Sequence, residues 1–454
     1  MTVDKGAAVT PVRLLILSLA LTFAFWSGCS QKTPTGPVTT LGSNTVTKYV
    51  AIGNSFTAGY QSNALYASAQ QYSFPNLIAQ QLQKAGANLQ PFEQPLYGDP
   101  GNADPLTGKA ARLEILSLTS PIPLIAPRGV DAGVPTNSAL ARPYDNLAIP
   151  GIPLASFLDT TNFLANPFVD LVLRSSGGLP KNVFQQVQML QPDLITLWLG
   201  NNDVLGYATS GGTSPSAPTP VGAFAVLYTQ MLDTLRAMLP NAKILVGNIP
   251  DVTTIPFFTT VGPATQALGI SAVYGIRSAG DTVVMNLKTN FLTLNAQAEL
   301  AQGKGVLLGD PLSNLAVLDS TETAIAQAAV TSYNTTIASV AAARNAVVFD
   351  ANALLKKVKS DGYSIAGERF TSEYVAGGLF SLDGVHPTSR GYAIIANEMI
   401  TLLDQRYGMS IPLVDISSVP GIPAPAGKLG NGKIPLISQK ALENIRRLFS
   451  TGLQ

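Results

Sequence analysis

The sequence predicts an α/β fold built on a central parallel sheet, and three observations carry that prediction. Apolar, partly β-branched runs of strand length recur at residues 49–52, 193–199, 243–249 and 346–350. Stretches of helical periodicity lie between them, at 74–85, 183–190, 221–238 and 324–343. Two of the runs stop abruptly at a glycine followed by small polar or amide side chains, as strands do when they deliver a loop to a ligand crevice. Strand and helix alternating in this order argue for parallel strands joined by right-handed crossovers.

Taken in order, the chain opens with Lys5 and Arg13 and then an apolar stretch over 14–26, too short for a comfortable membrane span but the right length for a secretion signal. Residues 31–44 are Thr, Pro, Gly and Ser with little apolar content, which predicts a flexible tether and a folded domain starting near Thr45. The first strand, 49–52, ends Gly53-Asn54-Ser55-Phe56, and an amphipathic helix follows with Leu77, Ile78 and Leu82 on one face. Residues 90–142 are proline-rich and weakly periodic; a loop of that length in a compact domain is functional or contains further elements. Another short apolar run, Asn146-Leu-Ala-Ile-Pro-Gly151, leads to a glycine whose N–H could approach a substrate closely. The run Asp193-Leu-Ile-Thr-Leu-Trp-Leu ends in Gly200-Asn201-Asn202-Asp203. Residues 253–324 then interrupt the alternation and predict an insert, placed over the mouth of the site in preference to the periphery. After the strand at 346–350 come Ser381-Leu-Asp-Gly-Val-His-Pro-Thr388 and a closing helix over 392–407. A proline-rich extension over 409–454 has a short amphipathic helix near 439–449.

The chemistry sits in four of these stretches. His386 is the only histidine among 454 residues, so it is the one imidazole available as a general base near neutral pH. Asp383, three residues earlier on the same tight loop, could reach the imidazole and fix its tautomer. Ser55 lies on the turn that leaves the first strand, and Asn202 carries an amide able to donate to a developing oxyanion. Each stretch alone also reads as ordinary turn chemistry.

Together, in this order, they resemble the blocks of the SGNH or GDSL-type serine hydrolases, over roughly residues 48–405. The resemblance implies a flavodoxin-like three-layer α/β/α sandwich with a central parallel sheet and long loop insertions. It implies Ser55 as nucleophile, His386 as base and Asp383 as its orienter, with the N–H groups of Ser55 and Gly151 and the Asn202 amide as oxyanion hole. The sequence departs from the family's usual pattern in carrying Asn54 for Asp and Phe56 for Leu, which bears on the setting of the nucleophile loop. The N-terminus ends its apolar stretch at Trp26-Ser-Gly-Cys29-Ser30, which resembles a bacterial lipoprotein signal with Cys29 as the lipidated first mature residue; Trp26 replaces the usual Leu.

Composition sets the exclusions. Charged residues make up 12% of the chain against about a quarter in ordinary globular proteins, and the net charge is +1, so no basic field exists to hold nucleic acid. One cysteine rules out an intramolecular disulfide, and one cysteine with one histidine argues against a zinc site; no cofactor or metal is expected. The expected partner is an ester: a small molecule, a lipid or an acylated glycan. A carboxylesterase or lipase, an acetylesterase acting on saccharides or cell-wall glycans, and a surface-anchored binding lipoprotein without turnover all stay open from sequence. The lipid anchor would place the protein in the cell envelope, on an outer membrane facing the periplasm or the cell surface.

Overall fold

The computed structural model describes residues 1–2, 39–118, 122–158, 166–213, 217–365 and 367–422. The chain divides into two units, Met1–Val38 and Thr39–Gln454, and the sheet, its helices and the loops between them all lie in the second. Cys29, the apolar stretch at 14–26 and the helix expected near 439–449 lie outside the described residues.

Four parallel strands form the central sheet in the order β1 (Tyr49–Gly53), β2 (Leu194–Trp198), β3 (Lys243–Gly247) and β4 (Val347–Phe349). Tyr49 lies opposite Leu194 and Gly53 opposite Trp198, so the ends of β1 and β2 that carry the Ser55 and Asn202 loops are level. Every residue of β1 and β2 is buried, as expected of strands covered on both faces. Beyond β1, residues 145–149 run parallel to it as an irregular fifth strand: Ala51 N donates to Asp145 O at 2.8 Å, Leu147 N to Ala51 O at 2.8 Å and Ile149 N to Gly53 O at 3.0 Å. Numbered along the chain, the five strands therefore lie in the order second (145–149), first (β1), third (β2), fourth (β3), fifth (β4), and the chain reverses its direction of travel across the sheet at β1. Open α/β sheets bind ligands in the crevice at that switch point, beyond the carboxyl ends of the strands. Asp145, which begins the fifth strand, is buried and held by the Arg142 guanidinium at 2.9 and 3.1 Å.

The helices that flank the sheet are α1 (Ser55–Ala58), α2 (Phe74–Lys84), α3 (Val183–Leu190), α4 (Asn202–Thr209), α5 (Val221–Met238), α6 (Ser320–Ala343), α7 (Ala351–Asp361) and α8 (Ser389–Tyr407). Helix α2 packs on α8, whereas α5 packs on α6 and α3, and α6 on α4, giving the two outer layers of an α/β/α sandwich. Two helices start earlier than their periodicity suggests, and capping is the reason in both. Asp319 accepts from Glu322 N at 2.8 Å while Glu322 accepts from Asp319 N at 2.8 Å, a reciprocal capping box that starts α6 at Ser320 rather than 324. Thr388 accepts from Gly391 N at 3.0 Å and starts α8 at Ser389 rather than 392.

The packing continues past residues 45 and 408 at both ends. Leu41 is buried, Asn44 Nδ2 donates to Tyr407 O at 2.8 Å, and Thr40 and Ser410 exchange backbone hydrogen bonds of 3.0 and 2.8 Å. Ile411, Val414, Ile416 and Val419 are also buried. The end of the tether and the start of the extension thus belong to the folded unit, which sparse apolar residues among prolines did not betray. Within residues 90–142 the structure forms an antiparallel ribbon, Leu113–Ser117 paired with Leu124–Pro127. The insert holds a second ribbon, Ala272–Ile276 against Thr282–Asn286, with a small apolar core that includes Val261, Val273, Met285 and Leu312. Its first part meets the histidine loop directly, because Phe257 N donates to Gly384 O at 2.9 Å. Among the described residues no helix is long and apolar enough to cross a membrane.

Candidate active site

The site is assembled where β1, the 145–149 strand and β2 end. At the end of β1 a side chain on residue 53 would put its Cβ 2.1 Å from Thr57 Oγ1 and 2.8 Å from Trp198 O, so only glycine lets the chain turn there. Asn54 then caps α1, its side-chain oxygen accepting from Phe56 N at 3.2 Å. This makes Ser55 the first residue of a helical turn, whose N–H has no acceptor within the helix. Asn146 of the fifth strand anchors the same turn by donating from Nδ2 to Thr57 O at 2.8 Å.

The loop before α8 brings two more groups to the serine. His386 Nε2 lies 2.8 Å from Ser55 Oγ, and His386 Nδ1 lies 3.0 Å from Asp383 Oδ2. An ionised carboxylate only accepts, so Nδ1 carries the proton in that contact and Nε2 is left to accept from the serine hydroxyl. Asp383 is itself held firmly: Oδ1 accepts from His386 N at 2.8 Å, Val385 N at 2.9 Å and Ser381 Oγ at 3.1 Å, and Oδ2 accepts from Asn63 N at 2.9 Å. Burial alone would push the Asp383 carboxyl up. The charge of His386 and the hydrogen bonds from its ring, from its N–H and from Asn63 outweigh burial and hold the group below the ordinary carboxylate value. Two aromatic rings flank the imidazole, Phe56 with centroids 5.3 Å apart and Tyr60 at 4.8 Å.

Gly151 follows the fifth strand in the left-handed region, φ 77°, and a Cβ there would touch nothing closer than Asn166 Nδ2 at 3.7 Å. Conformation, not crowding, selects glycine at this position. Asn202 lies at the start of α4, and its Nδ2 donates to Ile152 O at 3.0 Å. The sequence assigned that amide to an oxyanion alone. The structure gives one of its two hydrogens to the loop carrying Gly151 and leaves the other for a ligand. Asp203 braces the same loop, accepting from Leu154 N at 3.0 Å and from Thr219 Oγ1 at 2.7 Å. Burial raises its carboxyl above the ordinary value against those two hydrogen bonds, so Asp203 serves as a structural acceptor. Ser55, His386 and Asp383 are thus brought together, with Gly151 and Asn202 on neighbouring strand ends; Cys29 lies outside the described residues. Among the described residues no three His, Cys, Asp or Glu side chains gather as a metal site requires.

A family model described as GDSL-like Lipase/Acylhydrolase matches residues 49–399. The chain belongs to the GDSL-like lipase/acylhydrolase family. As a member of that family it is a hydrolase of ester bonds. Its GDSL-type fold is similar to solved structures that include a family 3 carbohydrate esterase of Clostridium thermocellum, at 12% identity and a TM-score of 0.35, over 80% of this chain and 98% of that one. An extracellular lipase of Streptomyces rimosus is similar at 14% identity and a TM-score of 0.33, over 78% and 99% respectively. A psychrotrophic esterase of Pseudoalteromonas follows at 10% identity and 0.33, over 79% and 97%. No curated protein matches the chain.

Several supporting groups of this GDSL-type site were not foreseen. Ser381 precedes Asp383 by two residues and was visible in the motif, yet nothing in its spacing said that its hydroxyl would both donate to Asp383 and accept from Ser62 N at 2.9 Å. Ser62 and Asn63 both have positive φ, 51° and 63°, and deliver their N–H groups across the sheet end. Asparagine tolerates that conformation better than most residues, the only sequence signal available there.

Proposed function

We propose that the protein hydrolyses carboxylic esters through an acyl-enzyme on Ser55. His386 Nε2 takes the hydroxyl proton as Ser55 Oγ attacks the carbonyl carbon, and the N–H groups of Ser55 and Gly151 with the free Asn202 Nδ2–H receive the oxyanion. Collapse expels the alcohol, protonated by His386, and water repeats the sequence to release the acid. Asp383 stays ionised throughout and stabilises the imidazolium. The observation that carries this reading is the relay of 2.8 and 3.0 Å from Ser55 through His386 to Asp383.

The test is a fluorophosphonate probe, which reacts only with an activated serine. Stoichiometric labelling of wild type and none of Ser55→Ala is expected. An unlabelled, folded wild type would leave a binding protein on a hydrolase fold. We further propose that Cys29 is lipidated and holds the enzyme in the cell envelope, on an outer membrane; the apolar stretch before Cys29 and the Ser30 after it support this.

A further inference from the structure

A second set of contacts on the histidine loop plays no part in the mechanism above. Residues 381–387 keep their shape through their own hydrogen bonds, Ser381 N to His386 O at 2.8 Å and Gly384 N to Ser381 O at 2.9 Å. Those bonds set the form of the loop; its place is set by groups outside it. Tyr374 Oη donates to Leu382 O at 2.5 Å and Phe257 N donates to Gly384 O at 2.9 Å, so the carbonyls of both neighbours of Asp383 are gripped. Leu294 lies against Gly384, its Cδ1 only 2.7 Å from where a Cβ at that position would stand. Tyr374 and Leu294 both pack on the small apolar core of the insert. The insert therefore reaches the loop at residues 382 and 384, with Asp383 between them.

Tyr374 is presented by a short closed loop. Thr371 N donates to Gly377 O at 2.9 Å, and Thr388, at the start of α8, donates from Oγ1 to Gly378 O at 2.7 Å. Next to the tyrosine, Val375 has φ 63°, the only β-branched residue in the left-handed region among the described residues. Ala376 N donates to Tyr374 O at 2.7 Å across it, which makes a γ-turn of the rare, strained hand. Such strain persists only where the surroundings over-determine the backbone, and it gathers where geometry serves function. Burial first, and then the charge of Asp383, push the phenol above its ordinary value, so the hydroxyl keeps its proton and remains a donor. We infer that Tyr374 is a positioning residue for ester hydrolysis: its hydroxyl, backed by the insert, fixes the Leu382–Asp383 peptide and through it the carboxylate that orients His386. The inference rests on the Ser55–His386–Asp383 mechanism proposed above and gives the insert a task in it.

The experiment compares Tyr374→Phe with Tyr363→Phe, which takes the same hydroxyl from a hydrogen bond to Glu398 Oε1 at 2.7 Å elsewhere in the fold. Hydrolysis of a p-nitrophenyl ester is measured at steady state, with Ser55→Ala as the blank, and normalised to the sites that a fluorophosphonate titrates, so that unfolded protein drops out of kcat. Tyr374→Phe should lower kcat roughly tenfold at unchanged KM, short of the hundredfold that a 1 Å misplacement can cost, and Tyr363→Phe should leave both at wild-type values. His386 is the only histidine in the chain, so its ring gives a single set of ¹⁵N-imidazole signals. The Nδ1–H signal should shift or broaden in Tyr374→Phe and stay in place in Tyr363→Phe. If Tyr374→Phe does not fold, Leu294→Ala, which withdraws the insert's contact at Gly384, decides in its place by the same two readings. Wild-type kcat or wild-type imidazole signals in the folded variant, or equal changes in Tyr363→Phe, would overturn the inference while leaving the hydrolase reading intact. Absence of any Ser55-dependent hydrolysis by wild type would overturn both.

Discussion

Asn202→Ala is the substitution whose outcome the geometry constrains most closely. In the proposed mechanism the side chain has two jobs: one Nδ2–H donates to Ile152 O at 3.0 Å, and the other would donate to the oxyanion. Losing an oxyanion-hole donor costs on the order of 100- to 1,000-fold in kcat, about 2.7 to 4 kcal/mol. Losing the tie to Ile152 removes one hydrogen bond, a net of about 1 kcal/mol of stability. The Gly151 loop keeps its other supports, Asp203 to Leu154 N at 3.0 Å and Asn166 Nδ2 to Pro150 O at 2.7 Å. The variant should therefore fold, melt about 2 °C lower and lose activity chiefly in kcat, because the donor matters more to the tetrahedral oxyanion than to the ground-state carbonyl. Asn166→Ala is the control: it cuts a tie to the same loop without touching a donor, and should lower kcat by less than about tenfold. The assay is steady-state hydrolysis of one soluble ester, with folding followed by circular dichroism. Wild-type kcat in folded Asn202→Ala, a change confined to KM, or an equal loss in Asn166→Ala would refute the assignment of Asn202 to the oxyanion hole.

Ser55→Ala should fall well below Asn202→Ala on the same ester, since two donors remain in the second variant and no nucleophile in the first; equal residual rates would remove Ser55 from the chemistry. Activity should rise with pH, because only the neutral form of His386 accepts from Ser55; a flat profile, with chemistry limiting the rate, contradicts the role of His386. Asp383 has its carboxyl depressed by folding, so its contribution to stability is fully present above the unfolded value of about 3.9 and is lost as pH falls through the lower folded value. The difference in urea midpoint between wild type and Asp383→Asn should accordingly be open at pH 5 and close below about pH 4; a gap unchanged at pH 2.5 would be evidence against the depressed carboxyl. Cys29→Ser should release the protein from membranes with activity on soluble esters unaltered, and retention of the variant in the membrane fraction would sink the anchor.

How far the sequence could be read depends on how local each signal is. The strands at 193–199 and 243–249 and the helix at 221–238 are signalled by their own composition, and the structure forms them within a residue or two at each end. The edge strand at 145–149 was not foreseen as a strand: five residues with a proline just beyond pair only with β1, and pairing is a property of two segments. The start of α6 was legible, since Asp319-Ser-Thr-Glu322 spells a capping box, but apolar periodicity begins later and drew the boundary with it. The contacts of Asn63 with Asp383 and of Asn146 with Thr57 join residues 320 and 89 positions apart, and no spacing rule reaches that far.

Those long-range contacts also explain why the first and last motifs behave as one unit. The loop leaving α1 supplies Tyr60, whose ring lies 4.8 Å from the imidazole, and Asn63, whose N–H reaches Asp383 at 2.9 Å. Tyr60 is itself pinned at both ends, its hydroxyl donating to Asn63 O at 2.6 Å and its carbonyl accepting from Tyr392 Oη of α8 at 2.6 Å. Phe56, in the place where the family pattern has leucine, also lies against the imidazole, at 5.3 Å. An aromatic ring there offers an electron-rich surface to a charged imidazole, which leucine does not. The segment that presents Ser55 therefore also grips both His386 and Asp383. A shift of α1 would carry Ser55, the ring contacts and the carboxylate support together, so the distances from Ser55 through His386 to Asp383 are set within one connected loop rather than by the docking of two independent ones.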